Sequence, residues 1–305
     1  NLASRMEGSA DPGTIVLSEN TYRLVRDYFE LEPLGTARVK GKEKPQERFL
    51  LVKEGEVGTR IGASVARGLT RFVGRKSSMV ALKEAFSSVK GARGRVVGLV
   101  GEAGVGKSRI LLELRNTLFP EDYRYLEGRC LPFGGSIAYL PVLDILKSYL
   151  SIKEGEREFA IKKRMKKKLL DLDENLVSVL PPLQELLSLR VDDDGFVRLE
   201  PGEKRQRTFE AIRDLLIRLS QERTLVLAVE DLHWIDKTSE EFLDYLMGWL
   251  ANSAILLILL YRPEYSHPWG SKSYYTKIGL DHLGAQSSGE LVEAMLEGGQ
   301  VAPEL

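Results

Sequence analysis

Residues 70–283 predict an α/β fold in which a parallel sheet is covered by helices on both faces, and three observations carry that expectation. Short, near-continuous apolar runs such as "GRVVGLVG", "TLVLAVE" and "AILLILLY" read as strands buried on both faces. Amphipathic stretches of helical length alternate with these runs. A glycine-rich turn joins the first run to the helix that follows it. A smaller α+β unit over residues 1–54 precedes this region.

In chain order, "TIVLS" (14–18) alternates and reads as a strand, and "ENTYRLVRDY" (19–28) has helical spacing at Tyr22, Val25 and Tyr28. Three strand-like pieces follow, "FELEPL", "TARVK" and "ERFLLV", separated by "LG" and "GKEKPQ". About fifty residues make a small core, so this unit reads as the end of a larger domain. Residues 55–69 are rich in Gly, Ser and charge and read as a linker. "KSSMVALKEAFSSVK" is then a helix, "GRVVGLVG" a strand and "KSRILLELRNTLF" a helix. "YRYLEGRC" reads as a strand and "YLPVLDILKSYL" as a helix. A long charged helical stretch is expected over 153–190, and another helix at "RQRTFEAIRDLLIRLSQ". The strands "TLVLAVE" and "AILLILLY" flank the helix "SEEFLDYLMGWL".

Composition sets bounds on function. The 305 residues are 43% apolar and 29% charged, as in an ordinary globular chain. Lys+Arg and Asp+Glu balance at 44 each, so no global field favours nucleic acid or an anionic membrane. The one cysteine, Cys130, allows no internal disulfide and no cysteine-based zinc cluster. The longest apolar run falls far short of the ~20 residues that span a bilayer. The expected compartment is the cytoplasm.

The strongest local signal is "GEAGVGKS" (101–108), which fits G-x-x-x-x-G-K-[ST] between an apolar strand and an amphipathic helix. Gly101, Gly104 and Gly106 let the backbone wrap closely around phosphate, with the helix N-terminus adding its positive end. Lys107 is positioned to neutralise β- and γ-phosphate oxygens, and Ser108 to place its hydroxyl on Mg²⁺. The fold class is therefore a P-loop NTPase that takes ATP and Mg²⁺. An acid at the tip of a neighbouring strand is also required, and "LVLAVEDLHW" supplies Glu230 and Asp231. Glu230, ending the strand, takes the metal side, and Asp231 orients the attacking water; a one-residue change of register exchanges the two roles. Arg262, after "AILLILLY", emerges at the carboxyl edge of the sheet, where it can contact the γ-phosphate. The alternative for Arg262 is a surface salt bridge with Glu264.

"FVGR" before a helix, "GEAGVGKS", "LVLAVEDLHWID" and "LLILLYRPEY" together resemble the AAA-related signal-transduction ATPases called STAND, over roughly residues 70–283. The resemblance implies that Gly74 and Arg75 lie close to adenine and phosphates, and that residues 284–305 are the start of the family's helical lid, which the chain does not complete. The family often has Glu after this Arg, whereas this chain has Lys76.

The opening unit, "NLASRMEGSADPGTIVLSENTYRLV", with "ELEPLGTARVKGKEKPQERFLL", resembles the C-terminal end of a class III adenylyl/guanylyl cyclase catalytic domain. The resemblance implies that Asn1 and Arg5, four apart, stabilise the transition state as the ribose 3′-oxygen attacks the α-phosphorus. It also implies that Lys40, in "VKGK", binds phosphate. The family's two metal-binding aspartates and its base-selecting residues lie upstream of this pair and are not in the sequence. The chain alone is therefore expected not to cyclise nucleotide. Its expected partners are the upstream cyclase half and a second cyclase domain. A cyclase joined to such an ATPase is the architecture of soluble adenylyl cyclases and their bacterial relatives. The alternative is an ATP/ADP-dependent switch or transcription regulator without cyclase activity.

Other features read as structural. "IKKRMKKKLL" (161–170) is a basic, solvated helix face between acidic flanks, and His233 and Trp234 pack after the strand. His267 and His282 have no metal-ligand spacing, and Cys130 is a small core residue.

Overall fold

The computed structural model describes residues 2–8, 10–37, 45–55, 61–62, 65, 68–132 and 137–296. The chain divides into two compact units, residues 1–72 with 290–305, and residues 73–289.

In the first unit, α1 (Leu2–Glu7) precedes β1 (Ile15–Ser18), α2 (Glu19–Val25), β2 (Phe29–Ala37) and β3 (Gln46–Glu54). The strands form an antiparallel sheet in the order β1-β3-β2. Ser18 ends β1 and caps α2, its hydroxyl accepting from the amide of Thr21 at 3.5 Å. Tyr22 of α2 stacks on Phe49 of β3 with ring centroids 3.8 Å apart. One expectation is corrected here: "FELEPL" does not end before a second strand but runs on through Gly35 into Thr36 and Ala37 as the single strand β2, whose register shifts between Pro33 and Gly35; the rest of "TARVK", residues 38–40, lies outside the described residues. Proline offers no amide to the ladder, and Gly35 takes a positive φ of 75°, so the chain bulges there instead of turning.

The second unit carries α3 (Lys76–Val89), β4 (Arg95–Val100), α4 (Lys107–Thr117), β5 (Tyr123–Arg129) and α5 (Leu140–Leu150). Next come α6 (Glu158–Leu172), α7 (Leu180–Leu186), α8 (Asp194–Val197), α9 (Pro201–Glu222), β6 (Thr224–Glu230) and α10 (Lys237–Met247). The described chain closes with β7 (Ile255–Tyr261), β8 (Tyr275–Gly279) and α11 (Ala285–Met295). Five strands in the order β5-β6-β7-β4-β8 form a parallel sheet. Every residue of β6 and β7 is buried, as expected of central strands covered on both faces.

Two expectations change. The charged stretch 153–190 is not one helix: Asp173 is extended at φ −165° and caps a 3₁₀ segment (Glu174–Val179), and Pro181 and Pro182 open α7. Its apolar residues Ile161, Met165, Leu169 and Leu172 still form one buried stripe of α6. Strand β8 adds an edge to the sheet that the apolar pattern does not mark. Its sequence "YTKIG" buries only Ile278, so it carries too little apolar signal to read as a strand.

Candidate functional site

The site is built where β4 ends and α4 begins. Gly104 and Gly106 hold φ of 81° and 98°, and Gly106 is the residue before α4. A side chain would strain both positions, so glycine is what lets this turn form. Gly101 is needed for a different reason: a Cβ there would lie 2.5 Å from the Leu280 carbonyl oxygen beyond β8.

Lys107 Nζ folds back on the loop and donates to the carbonyls of Gly101 (2.6 Å) and Glu102 (2.8 Å). Burial lowers its pKa, the Asp231 charge opposes that shift, and Arg262 adds to it. Ser108 Oγ donates to Glu230 Oε2 at 2.9 Å, bringing together a hydroxyl and a carboxylate 122 positions apart in sequence. Glu230 ends β6, and its pKa is pushed up to about 7. Burial is the main cause, followed by the neighbouring Glu127 carboxylate; the Ser108 hydrogen bond works in the opposite direction.

Asp231 follows directly in a left-handed conformation, φ 54°, which turns the chain sharply out of the strand. Asp tolerates that region better than most residues. Arg262 leaves β7 with its guanidinium 5.3 Å from the centre of the Trp234 ring. Its contact with Glu264 is long, 3.8 Å. Trp234 in turn lies against His233, ring centroids 4.4 Å apart. Both His233 ring nitrogens are buried without a hydrogen-bond partner among the described residues, and burial lowers its pKa.

Gly74 and Arg75 stand before α3, both with positive φ. Arg75 donates to the carbonyls of Val105 in the phosphate loop (3.1 Å) and of Asp281 (2.5 Å). A Cβ on Gly74 would approach Leu283 and Ser287 to 3.2 and 3.1 Å. The Gly74–Arg75 pair thus ties the loop to the segment after β8. Of the residues carried by the cyclase-like unit, Arg5 falls in α1, while Asn1 and Lys40 lie outside the described residues.

Sequence reasoning missed Glu127. It stands on β5, accepts from the Tyr125 hydroxyl at 2.6 Å and pairs with Arg129 at 3.1 Å. The signal was a carboxylate inside "YRYLEGRC", an unusual residue for a strand flanked by buried neighbours. Cys130 is buried beside this group, its amide donating to the Glu230 carbonyl at 3.0 Å.

Mg²⁺ fits this chemistry. The ion takes oxygen ligands from one or two carboxylates plus substrate phosphates and water, and the Ser108 hydroxyl and Glu230 carboxylate supply two such oxygens. No cluster of three or more His, Cys, Asp or Glu suited to a metal occurs among the described residues. No helix among them is long and apolar enough to cross a membrane.

A family model described as AAA ATPase domain matches residues 71–258. The chain belongs to the AAA ATPase domain family. A second model, the adenylate and guanylate cyclase catalytic domain, matches residues 1–53. This AAA ATPase-domain chain is 24% identical over 296 residues to an uncharacterized protein of Rhizobium meliloti (strain 1021). That alignment covers 96% of the chain but 28% of the relative's length. A STAND protein with a tetratricopeptide repeat sensor from Pyrococcus horikoshii is similar at 14% identity and a TM-score of 0.38, covering 76% of this chain and 26% of that one. The Escherichia coli HORMA:CdnC:Trip13 complex contains a chain similar at 11% identity and a TM-score of 0.40, covering 79% and 72%.

Proposed function

We propose that residues 73–289 form an ATP-binding, slowly hydrolysing regulatory module, and that the opening unit is the closing part of a nucleotide cyclase catalytic domain. The observation that supports the first half most directly is the Ser108–Glu230 contact beside Lys107 at the carboxyl edge of the sheet. In this reading the loop amides and Lys107 hold the β- and γ-phosphates. Ser108 and Glu230 would hold Mg²⁺, which would supply positive charge next to the phosphoryl oxygens. Asp231 orients the attacking water. Arg262 exchanges its place over Trp234 for bidentate contact with the γ-phosphate. Gly74 and Arg75 report the nucleotide to the segment after β8.

The second half rests on the cyclase match and on sequence order. Asn1 and Arg5 supply donors to charge developing on the α-phosphoryl group, Lys40 binds phosphate, and the partners are an upstream cyclase half and a second cyclase domain. The setting proposed is cytoplasmic signal transduction, with cyclic-nucleotide synthesis governed by the ATPase module.

Phosphate release from Mg-ATP tests the role of the hydrolytic site. Asp231→Asn should slow turnover at least about tenfold while ATP binding persists, because orienting water matters only to the chemical step. Turnover equal to the unaltered chain would overturn the assignment of Asp231.

A further inference from the structure

A groove of about 1310 Å³ lies among α6, α7, α8 and the start of α9, and it shares no residue with the phosphate loop. Its floor is apolar, with Leu180, Pro182, Phe196 and Leu199 among the lining residues. Its rim carries Phe159 and Val177, which are 78% and 49% exposed. Exposed apolar side chains grouped around one concavity mark an interaction surface better than scattered ones do.

Charge on the lining is one-sided once existing contacts are counted. The three acids are already engaged. Glu158 accepts the Arg190 amide at 2.6 Å, Asp192 pairs with Lys162 and accepts from Gln184, and Asp193 caps α8 through the Phe196 amide at 2.9 Å. Lys163, Lys166 and Arg207 line the same groove, are exposed, and form no ion pair among the described residues, whereas Arg190 acts on the neighbouring Asp192 carboxylate. Three uncompensated cations therefore surround an apolar floor.

We propose that this groove receives an acidic amphipathic helix from a partner protein. Phe159, Lys162, Lys163 and Lys166 occupy one face of α6 over two turns, a wall about 10 Å long. A helix laid along that wall would place apolar residues at i, i+3, i+4 and i+7 on the floor and carboxylates against the free cations. A nucleic-acid backbone brings charge but no regularly spaced apolar anchors, and a bilayer surface does not enter a concave groove. The basic run "IKKRMKKKLL" is thus divided: Ile161, Met165 and Leu169 build the core, while Lys163 and Lys166 face the partner.

The test uses the full chain and a fluorescein-labelled peptide with Leu at i, i+3, i+4 and i+7 and Glu on the flanks. Its Lys-for-Glu counterpart is the control. The acidic peptide should bind at least about tenfold tighter than the basic one, with an advantage that shrinks as salt rises. Lys163→Glu with Lys166→Glu should weaken it about tenfold and leave Mg-ATP binding unchanged. Phe159→Ala should weaken the acidic peptide without changing the preference for acidic over basic. Absence of acidic-peptide binding, equal binding of the two peptides, or insensitivity to the double substitution would overturn the proposal. So would tighter binding of single-stranded oligonucleotide or phosphatidylserine vesicles to the same lysines.

Discussion

Arg262 illustrates how a single side chain can be poised without being committed. Its guanidinium rests over Trp234, and the 3.8 Å contact with Glu264 is partly exposed, so neither holds it strongly. A γ-phosphate would offer a bidentate, charge-assisted partner in their place. Arg262→Ala is therefore expected to reduce the preference for ATP over ADP by about tenfold while leaving ADP affinity nearly unchanged. Competition titrations with the two nucleotides measure this; an unchanged ATP/ADP ratio would remove Arg262 from the γ-phosphate role. Lys107, Ser108 and the loop glycines were legible in the sequence because the motif fixes both their types and their spacing. Glu127 was not, because its proximity to Glu230 comes from the pairing of β5 with β6, whose partners stand just over a hundred positions apart. The Arg75 contact to Asp281 was hidden for the same reason.

At the scale of elements, β7 and β8 flank β4 in the sheet and are linked across Gly98 of β4 by a polar cluster. The Tyr261 and Tyr275 hydroxyls lie 2.6 Å apart, and His267 Nε2 approaches them at 2.8 and 3.0 Å. His267 Nδ1 accepts from the Trp269 amide at 3.2 Å, so in the neutral ring the proton sits on Nε2. Protonation would set a second N–H against that amide. Burial, with the Lys277 charge, holds the His267 pKa below 6.5, while Glu240 acts the other way. The folded state thus binds fewer protons here than the unfolded chain. This contribution to stability is present above pH 6.5 and is lost as pH falls below it. His267→Phe should flatten the fall in urea midpoint between about pH 7.5 and about pH 5.5; an unchanged slope would show that the cluster does not titrate. Strands β4, β6 and β7 were readable because full burial leaves a continuous apolar run. β8 was not, since an edge strand with exposed Thr276 and Lys277 leaves no such trace. The break in 153–190 was signalled by Pro181 and Pro182, but helical charge patterning on either side masked it.

At the scale of the whole molecule, a balanced net charge fits a protein that acts through local sites rather than a global field. Two such sites are proposed on residues 73–289: a phosphate loop with its strand-end acids, and a basic-rimmed groove on the helices between β5 and β6. The first is proposed to bind Mg-ATP through Lys107. Calorimetric titration of Mg-ATP into the chain and its Lys107→Ala variant tests it most directly, with circular dichroism showing that both are folded. Loss of the ammonium's contacts with β- and γ-oxygens should weaken binding about a hundredfold or more. Equal affinity of the folded variant and the unaltered chain would contradict the claim.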